Sequence, residues 1–525
     1  MDWAKSTERR DQMVLFPTRL EDAIAAEHSV RLLDDILRRL DWSKWEALYD
    51  LARGQPPIHP RILASVILYG LLTRIRSSRA LEEALQVRLD FRWLVEGRSI
   101  DHTTISEFRR KNAKALKDTF VQIGLLAREL GWLQLNSLAF DGTRVQANNR
   151  RSGTRTPEQL RAMKQELAAK FAELEARTAA ADAAEEELFA EQSGHTLPDE
   201  LADIERRRNQ VDAALAELDR LEQAGETIPK RLPITDPQSR VMPNKDGGFA
   251  PNYTPLATVD VDSGLIASAD VIANTDEDHY MITAVEDVQE QFGLQSPPPE
   301  MLSDGLMATG ENLSDCAERG IDLYSPLKGD DEADNRALRD DLTQPVAAAD
   351  REHLPTKTIR RNGTKYEQLD KRAFVYDEQE DGYWCPQGKR LSYRNTTHEK
   401  KRNGRVRERR RYVASSADCA ACPLLARCVQ SKAKTRTINR EQHETLREAH
   451  AVKMSSKAAK EKYSRRRHPG ERPFAVIKQK FGARRFLLRG LAQVKQEWQW
   501  LASAFNLDRL IGLIRSGVGP PRALI

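Results

Sequence analysis

The sequence predicts a mixed α/β (α+β) fold, in which an all-helical unit precedes a sheet that two insertions interrupt. Through residues 1–134, apolar residues recur at three- and four-residue steps, which is the period of an amphipathic helix. Short apolar runs that end in turn sequences follow from residue 135 onward, as strands do. A helical repeat at 157–225 and a polar, cysteine-bearing stretch at 329–450 break this strand pattern.

Charge in this chain is balanced overall but unevenly distributed. The 525 residues include 83 basic and 79 acidic side chains, and the net charge is only +4. Residues after about 400 are basic, whereas 185–205 is acidic, which predicts a polyanionic partner for the C-terminal half. Without a signal peptide or an apolar run of about 20 residues, we expect a cytoplasmic protein with no membrane partner. Five cysteines, with Cys316 isolated, argue against a disulfide framework.

The helical unit carries a candidate DNA-binding motif at residues 101–112. Thr104 can cap a helix there, and Glu107 stands three residues later, at the capping-box position. One interpretation is a helix-turn-helix whose basic end contacts DNA phosphates. The residues concerned are Arg109, Arg110 and Lys111. The other interpretation is an ordinary amphipathic helix with a solvated basic end, and the residues alone do not separate the two.

The strand-forming part begins with an apolar run from Leu135 that ends in Asp141-Gly142. Strands at 253–262 and 265–274 are predicted to form a hairpin, and an amphipathic helix follows at 276–291. A second short strand ends in Asp304-Gly305, and a helix separates it from a last strand at 321–326. Strand, hairpin, helix, strand, helix, strand is the order of an RNase H-like mixed sheet with flanking helices.

The first insertion, 157–225, is predicted to be an antiparallel helical hairpin or coiled coil with a structural or oligomeric role. The second insertion, 329–450, is polar, and its first part, Gly329–Asp334, predicts a flexible segment. Its basic run, Arg405–Arg411, favours a phosphate-contacting surface.

Four cysteines in the second insertion form a candidate metal site. They are Cys385, Cys419, Cys422 and Cys428. Four thiolates suit tetrahedral zinc, in which case this insertion would hold a four-cysteine zinc module. Four reduced cysteines without metal are the alternative, and an iron–sulfur cluster is a further one.

The basic segment 463–486 contains one carboxylate, Glu471. Apolar residues at helical spacing predict a helix with one buried face, and Pro469-Gly470 predicts a break just before that helix. Taken alone, an acid among cations is ordinarily a salt-bridge partner. The two earlier aspartates at strand ends, although turn chemistry alone can explain each, suggest a different interpretation.

Asp141, Asp304 and Glu471 come from separate elements and would converge at one edge of the sheet. Three carboxylates in that position would hold two divalent cations about 3.5–4 Å apart. Hard oxygen ligands favour Mg²⁺, with Mn²⁺ as a substitute. Such a pair of metals would activate a water or a 3′-hydroxyl and stabilise the leaving oxygen, while the surrounding cations hold a DNA backbone.

These blocks resemble those of a DDE transposase of a bacterial insertion sequence. Residues 60–111 are similar to the transposase InsH N-terminal family, 138–144 to the first catalytic block and 302–305 to the second. The family's Tyr-Arg-Glu-Lys signature is similar to Tyr463, Arg467, Glu471 and Lys478. Three residues separate the tyrosine from this arginine where the family usually has two, which leaves the neighbouring Arg466 as an alternative.

The resemblance implies an enzyme that cuts double-stranded DNA at transposon ends and joins the 3′-hydroxyl to target DNA, as a homodimer or higher oligomer. Tyr463, Arg467 and Lys478 would contact the end DNA. A DNA-binding domain would span 1–134, and the catalytic core would comprise 135–328 and 451–525. Two other classes stay open, namely a metal-dependent nuclease of the same fold and a catalytically inactive, transposase-derived DNA-binding protein.

Overall fold

The structure is a computed structural model. It describes residues 19–49, 56–149, 153–186, 199–244, 247–327, 335–361, 364–400, 406–429 and 434–517. Within these ranges no helix is both long enough and apolar enough to cross a lipid bilayer.

Helices make up the described part of the chain before residue 130. They are α1 Ser29–Arg38, α2 Ser43–Glu46, α3 Pro60–Leu72, α4 Ser78–Val87, α5 Leu89–Leu94, α6 His102–Arg110 and α7 Ala113–Glu129. Helix α3 is central to this unit, because nearly all of its side chains are apolar and buried. The prediction of an all-helical first part is thus confirmed for the described residues.

The next part of the chain forms a mixed sheet. Its strands, with one small separate pair (β3 and β4), are β1 Ser137–Gly142, β2 Val145–Gln146, β3 Thr154–Arg155, β4 Leu232–Pro233, β5 Arg240–Pro243, β6 Phe249–Asp260, β7 Ile266–Ile272, β8 Glu300–Leu302 and β9 Asp322–Tyr324. Strand β1 is antiparallel to β6 and parallel to β8, β9 is parallel to β8, and β7 is antiparallel to β6. The order β7-β6-β1-β8-β9 is that of an RNase H-like sheet, as predicted.

The helices of this part are α8 Pro157–Glu186, α9 Asp199–Gln223, α10 Met281–Gln291 and α11 Gly310–Arg319. Helices α8 and α9 form the predicted hairpin. Lys164 pairs with Asp212, and further along α8 the ring of Phe171 lies under Arg208, which precedes Asp212 in α9. The two helices are therefore antiparallel.

The second insertion is folded over most of its described length, which corrects the prediction that much of it is flexible. Its strands are β10 Thr356–Arg361, β11 Thr364–Leu369, β12 Val375–Asp377, β13 Gly382–Trp384, β14 Arg390–Lys400, β15 Val406–Ala414 and β16 Thr437–Glu441. Two short helices, α12 Ser416–Ala420 and α13 Leu425–Cys428, lie between the last two strands. Tyr383, Leu391, Tyr412 and Ile438 form part of its own core. The composition misled because this sheet buries one face and covers the other with charged side chains. Gly329–Asp334 lies outside the described residues.

The chain ends in helices α14 Glu444–Ser455, α15 Lys457–Ser464, α16 Arg467–Gln479 and α17 Leu491–Ser516. Helix α16 begins at Arg467, so the predicted break before the helix at Pro469-Gly470 is wrong. Pro469 stands in the first turn, where its missing N–H would have no intrahelical partner in any case. Helix α17 buries Trp498, Trp500 and Phe505 in the core that the sheet shares with the first helices.

The two faces of β1 pack against different helices. Leu138 and Phe140 belong to the large core that contains α17, whereas Ala139 lies in a small cluster with Met454 and Ala459 of α14 and α15. Side chains alternate between the faces of a strand. Asp141 therefore continues the face of Ala139, on the side where α14, α15 and the start of α16 lie.

Candidate active site and DNA-binding surface

The register of the sheet places Asp141 and Asp304 at the ends of neighbouring parallel strands. Ala139 of β1 lies opposite Leu302 of β8. Each aspartate follows two residues later, so both point to the same face at the same edge. Their electrostatic interaction is one of the contributions that raise the pKa of Asp141. The structure thus brings together two of the three carboxylates that the sequence singled out.

Asp141 is a buried carboxyl group with a cation beside it. Burial raises its pKa to about 6, and the nearby charges of Asp304 and Glu277 act in the same direction. Arg466 opposes this rise, with Nη2 lying 3.1 Å from Asp141 Oδ2. The backbone N–H of Gly142 donates to Asp141 Oδ1 at 2.9 Å. A carboxyl group held in this way is typical of a functional site.

Asp304 is half-buried, and its position is fixed locally. Its Oδ1 accepts a hydrogen bond from the backbone N–H of Leu306 at 2.9 Å, which closes the turn after β8. Its carbonyl oxygen accepts a hydrogen bond from the hydroxyl of Ser325. The turn therefore holds the aspartate at the strand end.

Helix α16 brings Glu471 to the side of this pair. The bare α carbon of Gly470 lies close to β1, since a Cβ built there would be 3.9 Å from Asp141 Oδ2 and 4.0 Å from Ala139 Cβ. Glu471 is the next residue, and its side chain is exposed. In the described ranges, no group of three or more His, Cys, Asp or Glu side chains is arranged to hold a metal ion. The two aspartates nevertheless present hard oxygen donors that suit a divalent cation.

The other signature residues surround the same edge. Tyr463 is half-buried against the cluster that contains Ala139. Lys478 Nζ donates to Thr143 Oγ1 at 2.6 Å and to the carbonyl oxygen of Arg144 at 2.9 Å, so it binds the turn that follows Asp141. Arg467 is exposed. Its neighbour Arg466 is the arginine that reaches the aspartate.

Sequence reasoning missed Glu277, which lies at the entry to α10. Its Oε1 accepts from Arg144 Nη1 at 2.6 Å, and the carboxylate is only 11% exposed. A Cβ added to Gly142 would overlap with Glu277 Oε2. An acidic Asp276-Glu277-Asp278 run directly after a strand was the available signal. Its proximity to Asp141 depends on the pairing of β6 with β1 and β7, which the residues alone do not specify.

The basic end of α6 is only partly available to DNA. Arg109 is 8% exposed and donates to the carbonyl oxygen of Arg76 at 2.5 Å, and burial lowers its pKa to about 10. A buried guanidinium does not reach a phosphate, so the expectation for Arg109 is corrected in this conformation. Arg110 and Lys111 are exposed. The helix is capped by Asp101, whose Oδ1 accepts from Thr104 N at 2.9 Å, rather than by Thr104.

The four cysteines of the second insertion lie close together in its core. They are Cys385, Cys419, Cys422 and Cys428. Burial raises the pKa of Cys428 to about 12 and also raises that of Cys385, and each thiol responds to the charges of the others. The backbone N–H of Lys389 donates to Cys385 Sγ at 3.4 Å, across a turn in which Gly388 has a φ of +67°.

The basic run beside these cysteines is largely neutralised by acidic partners. Arg407 pairs with Glu441, and Arg409 lies 3.6 Å from the same carboxylate. Arg410 Nη2 lies 2.6 Å from Asp381 Oδ2. These arginines lie on β15 and hold neighbouring parts of the sheet together. Arg405 lies outside the described residues.

Two family models match the chain. One, described as a transposase DDE domain, matches residues 384–511, and the other, described as a transposase domain (DUF772), matches residues 18–111. No curated protein shows a significant match. The first model covers the helix that carries Glu471, and the second covers α1 to α6. Together with the sheet order, the two matches identify the chain as a DDE transposase of the insertion-sequence type.

Proposed function

We propose that this transposase cuts the ends of its insertion sequence and joins them to target DNA by two-metal-ion phosphoryl transfer. Asp141, Asp304 and Glu471 would hold two Mg²⁺ ions, for which Mn²⁺ can substitute. The observation that carries the proposal is the pairing of two aspartates at neighbouring parallel strand ends, one of them buried with a raised pKa. Like charges at a buried edge favour a bound cation, because a cation offsets their repulsion.

When bound, the metal ions supply a nucleophile and stabilise the leaving oxygen. The chain's own residues orient the substrate. Arg466 is nearly buried, and its Nε has no hydrogen-bond acceptor among the residues that the structure describes. A phosphate oxygen would satisfy that donor and would place DNA beside Asp141. Lys478 fixes the turn after Asp141, and Tyr463 packs under the same edge.

We assign DNA binding also to Arg467, Arg110 and Lys111, which are exposed cations on α16 and at the end of the first helical unit. This assignment treats 1–134 as the DNA-binding domain and 135–328 with 451–525 as the catalytic core. The partners are transposon-end and target DNA, bound by a homodimer or a higher oligomer. The insertion at 329–450 would be a structural module.

We further propose that the four cysteines bind one structural zinc ion. Their shared location and the N–H···S hydrogen bond to Cys385 support this, since metal-bound thiolates accept such bonds from tight turns. Four reduced thiols, or an iron–sulfur cluster, are the outcomes against which metal content discriminates.

One experiment separates the enzymatic proposal from its alternatives. The purified protein is incubated with the terminal DNA of its element and a labelled target, with and without Mg²⁺. The variant is Glu471→Gln, and the matched control is Glu461→Gln, another exposed glutamate on the preceding helix. Joined products that require Mg²⁺ and disappear only in Glu471→Gln support transposition. Cleavage without joining would indicate the nuclease, and binding without either would indicate an inactive DNA-binding protein.

A further inference from the structure

Three exposed arginines gather where the first helical unit meets the loop between α16 and α17. They are Arg74, Arg484 and Arg485, here called the arginine junction. Across the described ranges, none of the three forms an ion pair with a carboxylate. Arg484 donates to Gln479 Oε1 at 2.6 Å, and Arg485 donates to Gln146 Oε1 at 3.1 Å. Both acceptors are neutral amides, so the positive charge of the arginines is not cancelled.

The backbone under the arginine junction is held firmly. Arg76 donates to the carbonyl oxygens of Gly482 at 3.0 Å and of Arg485 at 2.7 Å, and it forms an ion pair with Glu497 at 2.7 Å. Gly482, with a φ of +69°, lets Arg74 approach closely, since a Cβ there would lie 3.2 Å from Arg74 Nε. The arginines are therefore presented by a fixed scaffold that joins two parts of the chain.

Arg74 itself has an unusual backbone conformation. Its φ of +66° lies in the left-handed region, which residues other than glycine seldom occupy. Such conformations are concentrated at functional sites, where the surrounding structure enforces them. Here the strain directs an exposed guanidinium over Gly482 and towards the loop that carries the other two arginines.

An exposed strip of α16 connects the junction to the candidate active site. Arg467, Glu471, Ala475 and Gln479 recur at four-residue steps, and all are exposed. Gln479 is the residue that accepts from Arg484. The eight residues from Glu471 to Gln479 span about 12 Å along a helix that rises 1.5 Å per residue. Glu471 is the only acid in this strip.

We propose that the arginine junction binds the phosphate backbone of duplex DNA about 12 Å from the reacting phosphate, or three to four base-pair rises of about 3.4 Å. Guanidinium groups bind phosphate in a bidentate, charge-assisted manner. The position relative to the reacting phosphate rests on the proposed function of Glu471. The sequence pointed instead to the basic run at 405–411, where Arg407, Arg409 and Arg410 are paired with acids.

The test measures binding of a random-sequence 40-base-pair duplex by fluorescence anisotropy, in EDTA, over a range of KCl concentrations. A random sequence suffices because phosphate contacts are largely independent of sequence. The test variant is Arg484→Gln/Arg485→Gln, and the matched control is Arg407→Gln/Arg410→Gln, which removes the same two charges from the ion-paired run. Arg484→Lys/Arg485→Lys keeps the charge and reports whether the loop still folds.

The slope of log K against log salt is expected to fall by about two in the test variant and to stay unchanged in the control and in the lysine variant. Equal losses in the test variant and the control would show an effect of net charge alone and would overturn the proposal. An unchanged slope in the test variant would do so as well. Wild-type protein that fails to bind duplex DNA would overturn both this proposal and the proposed function. Retained binding in Glu471→Gln with loss of joining would leave the two independent.

The spacing is tested on the terminal DNA of the element. Hydroxyl-radical footprinting of the wild-type complex is expected to show a protected backbone three to four base pairs from the cleaved phosphate, and the Arg484→Gln/Arg485→Gln variant should lose this protection. Protection that persists in that variant would place another surface at this position.

Discussion

Arg466 Nη2 lies 3.1 Å from Asp141 Oδ2, at the edge where the two strand-end aspartates meet. The cation offsets part of the cost of burying the Asp141 carboxylate, whose pKa is still raised to about 6. Its remaining buried donor, Nε, has no acceptor within the part of the chain that the structure describes. Arg466, rather than the exposed Arg467, is therefore placed to address a carboxylate and a phosphate together.

The first prediction concerns these two neighbouring arginines. Arg466→Gln should lower the rate of Mg²⁺-dependent end cleavage by at least about tenfold, because it removes a positioned cation beside Asp141. Arg467→Gln, which removes the same charge from an exposed position, should lower the rate by less. Single-turnover cleavage of terminal DNA measures both. A larger loss in Arg467→Gln would assign the signature arginine to that residue instead.

The second prediction follows from the raised pKa of Asp141. The folded protein holds this proton more tightly than the unfolded chain, so stability falls as the pH rises from 3.8, the ordinary value, to about 6, and stays lower above that. The gap corresponds to about 3 kcal/mol. In EDTA, Asp141→Asn should therefore raise the melting temperature at pH 7.5 by several degrees and have little effect near pH 4. The exposed Asp276→Asn is the control, and an equal effect at both pH values would contradict the argument.

The third prediction uses the close approach of Glu277 to Gly142. A Cβ at residue 142 would overlap with Glu277 Oε2, so Gly142→Ala should displace this carboxylate and destabilise the protein by about 1–3 kcal/mol. The double variant Gly142→Ala/Glu277→Ala should be more stable than the sum of the single effects allows. Thermal unfolding gives the cycle. Gly512→Ala, where the added Cβ meets nothing within 4 Å, is the control. Additive effects at 142 and 277 would refute the contact.

The fourth prediction concerns the cysteine cluster. Elemental analysis after dialysis should find about one zinc ion per chain, and Cys419→Ser should remove it and lower the melting temperature, because structural zinc stabilises small modules. Cys316→Ser, at a buried cysteine outside the cluster, should keep the metal. Wild-type protein without zinc or iron would show four reduced thiols instead, and iron in place of zinc would indicate a cluster.

The sheet and its two aspartates were predictable because each lies in a local pattern. An apolar run that ends in Asp-Gly marks a strand and its turn at Asp141 and again at Asp304. Their proximity then follows from parallel pairing of β1 with β8, which the order of elements implies. Local patterns and the order of elements together are therefore sufficient for this part of the site.

Other features depend on long-range contacts that no local pattern encodes. The burial of Arg109 arises from packing against the turn that contains Arg76, more than 30 residues earlier in the chain. The basic run around Arg410 looked free because its acidic partner, Asp381, lies on a neighbouring part of the sheet. Glu277 reaches Gly142 only through the pairing of strands distant in sequence. In each case the partner decides the role, and the partner is set by the fold.

The central claim is that Asp141, Asp304 and Glu471 hold two divalent cations on bound DNA. Anomalous diffraction from crystals of the DNA complex grown with Mn²⁺ tests it most directly. The account predicts two manganese peaks about 3.5–4 Å apart, with oxygen ligands from all three carboxylates. Carboxylates more than about 10 Å apart, or no manganese peak between Asp141 and Asp304, would contradict it.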